Sequence, residues 1–437
     1  MIKQFEVKNF KCHEENNYFS LPGITVVSGT NNSGKSSLLQ SIYLLTQGKS
    51  KSYPILSLNE ELKLGSFSDV LNKNQPNSEA IELAFTFEKD VLKSQNVEEL
   101  IVNVAYKNPN SFSEISLPYF ESNPILYLME IDFKKENEDY ETITLEILDE
   151  KSPNILYKIC GKEDNGFCKV DGIVPEPIIY KDNDERERTI CSSNLDIVRN
   201  YLKLLNNENI KYIKAFRMDD YIEGSKSLKN NLGLSGEYTA EVIHKYSNNP
   251  VDFQFDTGGE LLTFSKIFDY WISQLLGENY RIRSSSLDKD KFKITVHEVK
   301  SGHEFSLNQV GFGISQILPI ITLLLTSKRN EIILIENPEV HLHPKLQSLF
   351  VDLCIFILGS GRKLVIETHS EHIINRLRYK IKSMPSLLDK INVLFFEKDE
   401  EGIIYTDIEI TKEGRLADWP KNFFDQTYND LLGLIEE

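Results

Sequence analysis

The sequence predicts an α/β fold in which helices cover a mostly parallel sheet, and three observations lead to this prediction. An apolar, β-branched run (GITVVSGT, residues 23–30) leads through a glycine-rich turn into a segment with helical spacing (SSLLQSIYLLTQ, residues 36–47). Strand and helix patterns alternate through the last third of the chain. Alternating polar and apolar residues at the N-terminus predict further strands. Alternation of strands with helices is typical of parallel sheets.

Size and charge limit the protein class. The chain has 437 residues, 40% of them hydrophobic and 26% charged, which is the composition of an ordinary soluble globular protein. This length suggests about two to three domain-sized units, or one domain with a large insertion. The net charge, 49 − 66 = −17, opposes non-specific attraction to nucleic acid over the whole surface.

No pattern directs the chain to a membrane. The longest apolar stretch (ILPIITLLL, residues 317–325) is much shorter than the roughly 20 residues that cross a bilayer, so it predicts a core helix. The N-terminus lacks an apolar signal core. The five cysteines form no CxxC pair, which fits free thiols. We therefore expect a cytoplasmic protein with no membrane partner.

The first half of the chain predicts strands and an insertion. The alternating segments IKQFEVKNF (residues 2–10) and AIELAFTFE (residues 80–88) predict two strands. From about residue 89 to residue 207, short strands separated by charged, turn-rich stretches are predicted, without the heptads of a coiled-coil arm. We interpret residues 89–207 as an insertion of uncertain fold between two parts of one head, residues 1–88 and residues 208–437.

The second half returns to regular periodicity. Strand patterns are predicted in IKYIKAFR (residues 210–217), DKFKITVHEV (290–299), EIILIE (331–336), KLVIETH (363–369) and NVLFFEK (392–398). Helical patterns are predicted in residues 236–246, 261–276, 315–325, 345–358 and 370–381.

The segment GTNNSGKSS carries the strongest chemical signal. It matches G-x-x-x-x-G-K-[ST] directly after a strand and directly before a helix. Backbone N–H groups of such a loop, and the positive end of the helix dipole, cradle phosphates. Lys35 would reach the β- and γ-phosphates, and the Ser36 hydroxyl would bind Mg²⁺. A chance glycine-rich turn is the alternative. The predicted nucleotide-binding residues are Gly29, Asn31, Asn32, Gly34, Lys35, Ser36 and Ser37.

Two later strand ends supply further candidates. The strand IILIE ends in Glu336, which would take the magnesium-side role beside Ser36. The apolar run KLVIETHS places His369 at a third strand end, where it would sense the γ-phosphate. A solvent-exposed carboxylate and an ordinary strand-end histidine are the alternatives.

His341 and His343 raise the question of a metal site. They are two residues apart, and Glu339 could complete a ligand set. No third histidine or cysteine follows at a ligand-like interval, so we do not favour a structural zinc site.

The order of these motifs carries a resemblance. The P-loop, then NQVGFGISQILP (residues 308–319), ILIENPEVHLHP (333–344) and VIETHSEHI (365–373) are similar to ABC-type ATPase heads of the SMC/RecF/OLD superfamily. The bacterial OLD-like and Septu-type ATPases are the most similar. The resemblance covers about residues 1–88 and residues 210–437. It implies an ABC-type P-loop NTPase head, with an antiparallel β lobe beside the parallel sheet and a mixed insertion.

In such heads two subunits sandwich two ATP molecules. The resemblance therefore implies ATP and Mg²⁺ as cofactors and a second copy of this chain as a partner. Gly311, Gly313 and Ser315 would lie at a helix N-terminus that faces the partner's γ-phosphate, although an LSGGQ-like signature is absent. His343 would fall where the family has its D-loop, at the dimer interface.

Asn337 departs from the family pattern, in which an acidic residue after the magnesium-side carboxylate orients the attacking water. An amide cannot accept the proton as a general base does. Two interpretations stay open: Glu339 reaches the water, or hydrolysis is slow and the protein acts mainly as an ATP-gated switch. We favour slow hydrolysis.

The resemblance predicts a Mg²⁺-dependent ATPase, with Lys35, Glu336, Glu339 and His369 as its catalytic residues. Only about 65 residues follow the ETHS segment, without a convincing set of nuclease acids. The resemblance then implies a separate effector protein such as a nuclease, as in anti-phage defence. One alternative is a RecF-like DNA-repair head, which would need a duplex-binding surface, so nucleic acid stays open as a partner. The segment RLRYKIK (residues 376–382) is a candidate for a local basic patch, and a solvated helix face is the favoured alternative for it. Another is a scaffold that binds ATP without hydrolysing it.

Overall fold

The computed structural model describes most of the chain. The described residues are 1–14, 17–46, 54–75, 79–92, 97–112, 123–149, 155–162, 165–181, 187–190, 193–206, 209–217, 232–255, 260–288, 291–309, 311–398 and 402–417.

The contacts divide the chain into two compact units. The first unit comprises Met1–Leu21, Asn32–Ile210 and Glu397–Ile404. The second unit comprises Pro22–Asn31, Lys211–Phe396 and Tyr405–Glu437.

Strands and helices are numbered in chain order over the described residues. The strands are β1 Ile2–Lys8, β2 Asn17–Ser20, β3 Ile24–Gly29, β4 Ala80–Phe87, β5 Val97–Lys107, β6 Ile125–Lys135, β7 Tyr140–Asp149, β8 Leu156–Cys160, β9 Asn165–Asp171, β10 Val174–Lys181, β11 Glu187–Ile190, β12 Ile210–Ile213, β13 Tyr280–Asp288, β14 Lys291–Glu298, β15 Glu304–Ser306, β16 Ile332–Glu336, β17 Lys363–Glu367, β18 Ile391–Lys398 and β19 Ile403–Asp407. The helices are α1 Lys35–Leu44, α2 Phe67–Val70, α3 Lys89–Leu92, α4 Ser193–Asn206, α5 Thr239–Tyr246, α6 Phe264–Leu276, α7 Phe312–Thr326, α8 Pro344–Gly359 and α9 Glu371–Ser383.

An antiparallel sheet forms the first unit. Over the described residues its order is β11-β10-β9-β8-β7-β6-β5-β4-β1-β2, and every neighbouring pair is antiparallel. The strands of residues 89–207 thus extend the sheet that β1, β2 and β4 begin. The predicted antiparallel lobe is confirmed.

Two strands of residues 89–207, β5 and β6, have 11 residues each and are longer than the short strands predicted there. In β6, Met129, Ile131 and Phe133 are buried and alternate with polar residues, which suits a sheet with one face towards a core. Charged residues therefore fall inside the strands as well as between them. For that reason the charged residues of this segment suggested strands shorter than β5 and β6.

The second unit is built on the parallel sheet that the sequence predicts. The sheet order is β12-β16-β17-β3-β18-β19 in the described part of the chain. The central pairs β16/β17, β17/β3 and β3/β18 are parallel. All residues of β16 and β17 are buried, because strands of a parallel sheet are covered on both faces.

The helices of the second unit enclose this sheet in one apolar core. The stretch Ile317–Leu325 lies within α7, and its apolar residues pack in the same cluster as Ile333, Ile335 and Leu364. The predicted core helix is therefore confirmed. Among the described residues, no helix combines the length and the apolar character that spanning a membrane requires.

Candidate nucleotide-binding site

The glycine-rich loop begins at the carboxyl end of β3. Gly29 has a φ of +141°, and a Cβ at this position would lie 2.0 Å from the carbonyl oxygen of Phe396 on the neighbouring strand β18. The Thr30 amide donates to the same oxygen at 3.0 Å. The first glycine of the motif is therefore required by the close approach of two backbones.

In the first unit, the loop ends at the start of α1. Gly34 precedes the helix with a φ of +90°, and a Cβ there would lie 2.8 Å from Cys12 Sγ. Lys35 is the first helical residue and is 4% exposed. Ser36 and Ser37 follow in the first helical turn and are half-buried. This is the strand, loop and helix order in which a P-loop binds phosphate.

His13 supports the base of this helix and was not identified from the sequence. It is fully buried, with Nε2 3.3 Å from the Gly34 carbonyl oxygen. Burial lowers the pKa of His13 to about 4. A neutral imidazole with the proton on Nε2 can donate to that carbonyl. No local motif marks His13, because its contact with Gly34 spans 21 residues of sequence.

We predict that His13 makes the stability of the protein depend on pH. The pKa of His13 in the folded state is below its ordinary value of about 6.5, so the unfolded state binds more protons in the interval between them. His13 should therefore cost no stability above about pH 6.5 and destabilise the fold progressively as the pH falls towards 4. The full effect is about 3 kcal/mol. Denaturant unfolding at pH 7.5, 5.5 and 4 should show a smaller loss for His13→Gln than for the unchanged protein. A difference between the two proteins that stays constant with pH would contradict this assignment.

Glu336 lies at the carboxyl end of β16, as predicted. Its side chain is 8% exposed. The carboxylate accepts a hydrogen bond from the Tyr212 hydroxyl and another, 2.9 Å long, from the Ala215 amide. β12 and the residues that follow it therefore fix the orientation of the carboxylate that the sequence assigns to Mg²⁺.

Arg217 is a second residue that was not identified from the sequence. It is 2% exposed and donates to the carbonyl oxygens of Glu336 and Asn337, at 3.0 and 2.9 Å. The sequence placed it at the end of the IKYIKAFR segment and in FRMDDY (residues 216–221), which resembles the linking region of ABC-type ATPase heads, without assigning it a role. Its partners are about 120 residues away in the sequence.

Asn337 occupies a backbone conformation that suits asparagine. Its φ is +40°, in the left-handed region that asparagine tolerates better than most residues. Its amide donates to the Glu367 carbonyl oxygen at 2.8 Å. The local geometry thus gives a conformational reason for asparagine where the family pattern has an acid.

Glu339 contacts the end of the neighbouring strand. One carboxylate oxygen accepts from Thr368 Oγ1 at 2.8 Å, and the other accepts from the backbone amide of His369 at 2.6 Å. Burial raises the pKa of Glu339. The His369 side chain is exposed. Glu339 thus fixes the backbone from which the candidate γ-phosphate sensor projects.

The candidate signature residues begin α7. Gly311 precedes the helix and Gly313 lies in its first turn. A Cβ on Gly313 would lie 2.7 Å from the His341 carbonyl oxygen, so the helix start packs directly on the loop after β16. Ser315 is buried. Its contact with a partner's nucleotide stays a prediction.

His341 and His343 lie in the loop between β16 and α8, where each contributes to the local backbone structure. His341 has a φ of +62°. His343 caps α8, since its Nδ1 accepts from the Lys345 amide at 3.3 Å. Among the described residues, no group of three or more His, Cys, Asp or Glu is arranged to hold a metal ion.

The parallel sheet brings several predicted site residues to one edge. Glu336 pairs in register with Glu367, and Glu367 pairs with Val27, two residues before Gly29. Glu336, the start of the P-loop and the His369 segment therefore share the carboxyl edge of adjacent strands, where ligands of parallel α/β sheets bind. The predicted ligands of Mg²⁺ belong to different units, Ser36 to the first and Glu336 to the second. Their joint binding of one ion stays a prediction.

A comparison with known protein families shows which family the chain belongs to. The family model described as "AAA ATPase domain" matches residues 1–374. The chain belongs to the AAA ATPase domain family. The C-terminal part of this ATPase, residues 388–434, matches a second family, described as a protein of unknown function (DUF3696). A comparison with curated proteins gave no match.

Solved structures resemble the ATPase in fold. The crystal structure of the SmcHead bound to the C-winged helix domain of ScpA has a TM-score of 0.50 and 12% sequence identity, and the match covers 94% of this chain and 98% of that chain. The SMC head domain from Thermotoga maritima has a TM-score of 0.42 and 11% identity, over 94% and 99% of the two chains. The Smc head domain of Pyrococcus furiosus, crystallised with an extended coiled coil and the C-terminal domain of ScpA, has a TM-score of 0.47 and 10% identity, over 100% and 99%. The first match identifies the fold as an ABC-type P-loop head like that of SMC proteins, as predicted.

Proposed function

We propose that this protein binds and slowly hydrolyses ATP with Mg²⁺, and that two copies associate around two ATP molecules. The observation that carries the proposal is the shared edge of the parallel sheet. Three neighbouring strands end there: β3, which leads into the P-loop, β16, which ends in the buried Glu336, and β17, which leads to His369. This combination of a phosphate-binding loop, an acidic strand end and a polar third strand end suits phosphoryl transfer.

Each residue has a role that its chemistry supports. Lys35 would neutralise the β- and γ-phosphates, and Ser36 and Glu336 would each offer an oxygen ligand to Mg²⁺. His369 contacts the γ-phosphate. Because phosphoryl transfer depends mostly on positioning and charge stabilisation, fixed groups supply most of the catalysis.

Two observations support slow hydrolysis. Asn337 cannot act as a general base. Both carboxylate oxygens of Glu339 already accept hydrogen bonds, from Thr368 and from the His369 backbone. These contacts give Glu339 a role in orienting the switch segment that does not require it to act as a general base.

Association with a second copy would complete the site. Gly311, Gly313 and Ser315 of α7 would meet the partner's ATP, and His343 would lie at the same interface. ATP would drive association because it binds the closed state more tightly than the open state.

We further propose that the closed state gates a separate effector protein, such as a nuclease, in an OLD-like or Septu-type anti-phage system of the cytoplasm. The resemblance of the motif order supports this role. A precedent for a separate partner is the SmcHead crystallised with a domain of ScpA. In this proposal residues 89–207 are an insertion between the two parts of the head, residues 1–88 and 208–437, and transmit closure to the partner.

The test is phosphate release from ATP by the purified protein, with and without Mg²⁺, beside Lys35→Ala. We expect Mg²⁺-dependent turnover that falls at least about 100-fold in the variant, because the transferred phosphoryl group loses its nearest fixed cation. The matched control is Lys382→Ala, which removes an exposed lysine from the last turn of α9. Turnover that survives Lys35→Ala would refute this use of the P-loop.

A second candidate function is a scaffold that binds ATP without turnover, and Asn337 favours it. For a scaffold, we expect ATP-dependent association of two copies, measured by light scattering, without phosphate release. ATP-dependent association that is lost in Lys35→Ala, together with no phosphate release by the wild-type protein, would select the scaffold over the ATPase.

A further inference from the structure

Arg217 joins the segment after β12 to the acidic strand end. Nη1 donates to the carbonyl oxygens of Lys214 and Glu336, both at 3.0 Å. Nη2 donates to the carbonyl oxygen of Asn337 at 2.9 Å. Hydrogen bonds from a charged donor are stronger than neutral ones. Its guanidinium therefore fixes two consecutive peptide groups at the point where β16 turns into its loop.

Residues 212–217 hold both the backbone and the carboxylate of Glu336. Arg217 binds the backbone of Glu336, while Tyr212 and Ala215 donate to its carboxylate. The position of the carboxylate thus depends on three bonds from residues 212–217. A displacement of this segment would move the carboxylate with it.

Helix α7 contacts this assembly at two points. Gln316, in the second turn of the helix, donates from Nε2 to the Arg217 carbonyl oxygen at 3.4 Å. Gly313, one turn earlier, packs against the His341 carbonyl, with no room for a Cβ. The helix end that carries the candidate signature glycines is therefore linked to the loop after Glu336 both directly and through Arg217.

We propose that Arg217 is a positioning residue that couples the N-terminal end of α7 to the Mg²⁺-binding carboxylate of Glu336. This inference rests on the proposed function. Occupation of the α7 end by a second copy then stabilises the Glu336 geometry that binds Mg²⁺. Conversely, Mg²⁺·ATP at Glu336 stabilises the α7 position that the second copy recognises, because coupling between two sites is reciprocal.

Lysine cannot replace arginine in this role. The planar guanidinium carries several donors in a fixed arrangement, whereas an ammonium is a compact charge on a flexible stem. Arg217→Lys keeps the charge but cannot donate to the Glu336 and Asn337 carbonyl oxygens at the same time.

Arg362 provides a matched control in the same unit. It is 1% exposed and also donates to backbone carbonyls, from Nη1 to Ser360 and from Nη2 to Ser327, both at 2.7 Å. It immediately precedes β17, whereas Glu367 ends that strand beside Glu336. The five residues of β17 separate the two ends by roughly 16 Å. Arg362→Lys therefore perturbs an equally buried arginine at the opposite edge of the sheet.

The experiment measures ATP binding in EDTA, the Mg²⁺ concentration for half-maximal phosphate release, and kcat, at a temperature where each variant is folded. For Arg217→Lys we expect ATP binding in EDTA within about 2-fold of wild type, a half-maximal Mg²⁺ concentration at least about 10-fold higher, and a kcat at least about 10-fold lower. Arg362→Lys should lower the melting temperature and change neither kinetic value. Equal effects of the two variants, or no effect of Arg217→Lys, would overturn the inference.

A second variant keeps the test decisive if Arg217→Lys does not fold. Gln316→Met removes the bond to the Arg217 carbonyl and leaves the bonds that Arg217 donates. It should raise the half-maximal Mg²⁺ concentration at least about 3-fold, and an unchanged value would also overturn the inference. Wild type that shows no Mg²⁺-dependent ATP use would refute the proposed function itself. Normal wild-type turnover with insensitive variants would refute only the coupling.

Discussion

Replacement of Gly29 by alanine is expected to abolish ATP binding. Gly29 has a φ of +141°, and the added Cβ would lie 2.0 Å from the Phe396 carbonyl oxygen. The obstacle is backbone in a buried strand of the same sheet, so it cannot rotate away as a flexible side chain does. The loop must leave β18, which breaks the bond from the Thr30 amide to the same oxygen. The phosphate-binding N–H groups that follow then lose their positions.

Calorimetric titration with ATP and a melting temperature measure this effect. Overpacking of this kind costs about 1–3 kcal/mol or more, and a displaced phosphate loop should weaken ATP binding beyond detection. Gly302→Ala is the matched control, because Gly302 also has a positive φ, +70°, but nothing lies within 4 Å of its added Cβ. It carries the backbone strain without the collision, and its ATP affinity should equal that of wild type. Full ATP affinity in Gly29→Ala would show that the loop does not use this conformation to bind nucleotide.

Replacement of Glu339 by alanine is expected to lower kcat about 10- to 100-fold while ATP still binds. The alanine variant loses both hydrogen bonds that hold Thr368 and the His369 backbone. His369 then projects from a strand end that is no longer fixed. Phosphate release and ATP binding, measured on the same preparations, separate the two effects.

Glu339→Gln distinguishes anchoring from base catalysis. The amide oxygen of glutamine can accept from the His369 amide, and its NH₂ group can donate to Thr368 Oγ1. Glutamine therefore keeps both contacts, but it cannot take a proton. If Glu339 anchors the switch segment, Glu339→Gln should retain most of the wild-type kcat. Equal loss in the alanine and glutamine variants would instead make Glu339 the general base and would contradict the anchoring role.

Several local features of this protein could be predicted from its amino-acid sequence. Alternation of polar and apolar residues predicted β1 and β4, and a continuous apolar run predicted β16. The P-loop pattern identified Gly29 and Lys35, because a phosphate loop needs glycine and lysine at fixed spacing between a strand and a helix. The strand end at Glu336, and the position of His369 just beyond the end of β17, could be predicted in the same way. The parallel sheet followed from the alternation of strands and helices.

Tertiary structure alone decided what holds these residues in place. His13 and Gly34 are 21 residues apart in the sequence, and Arg217 and Glu336 are 119 residues apart, so no local spacing could reveal either contact. The fold also brings Glu339 to the His369 backbone. From the sequence alone, it stayed open whether Glu339 reaches the attacking water or hydrolysis is slow. The physical reason is that periodicity and motifs report what a segment of chain does with its neighbours. A buried charge or carboxylate is instead satisfied by whichever distant backbone the sheet order brings beside it.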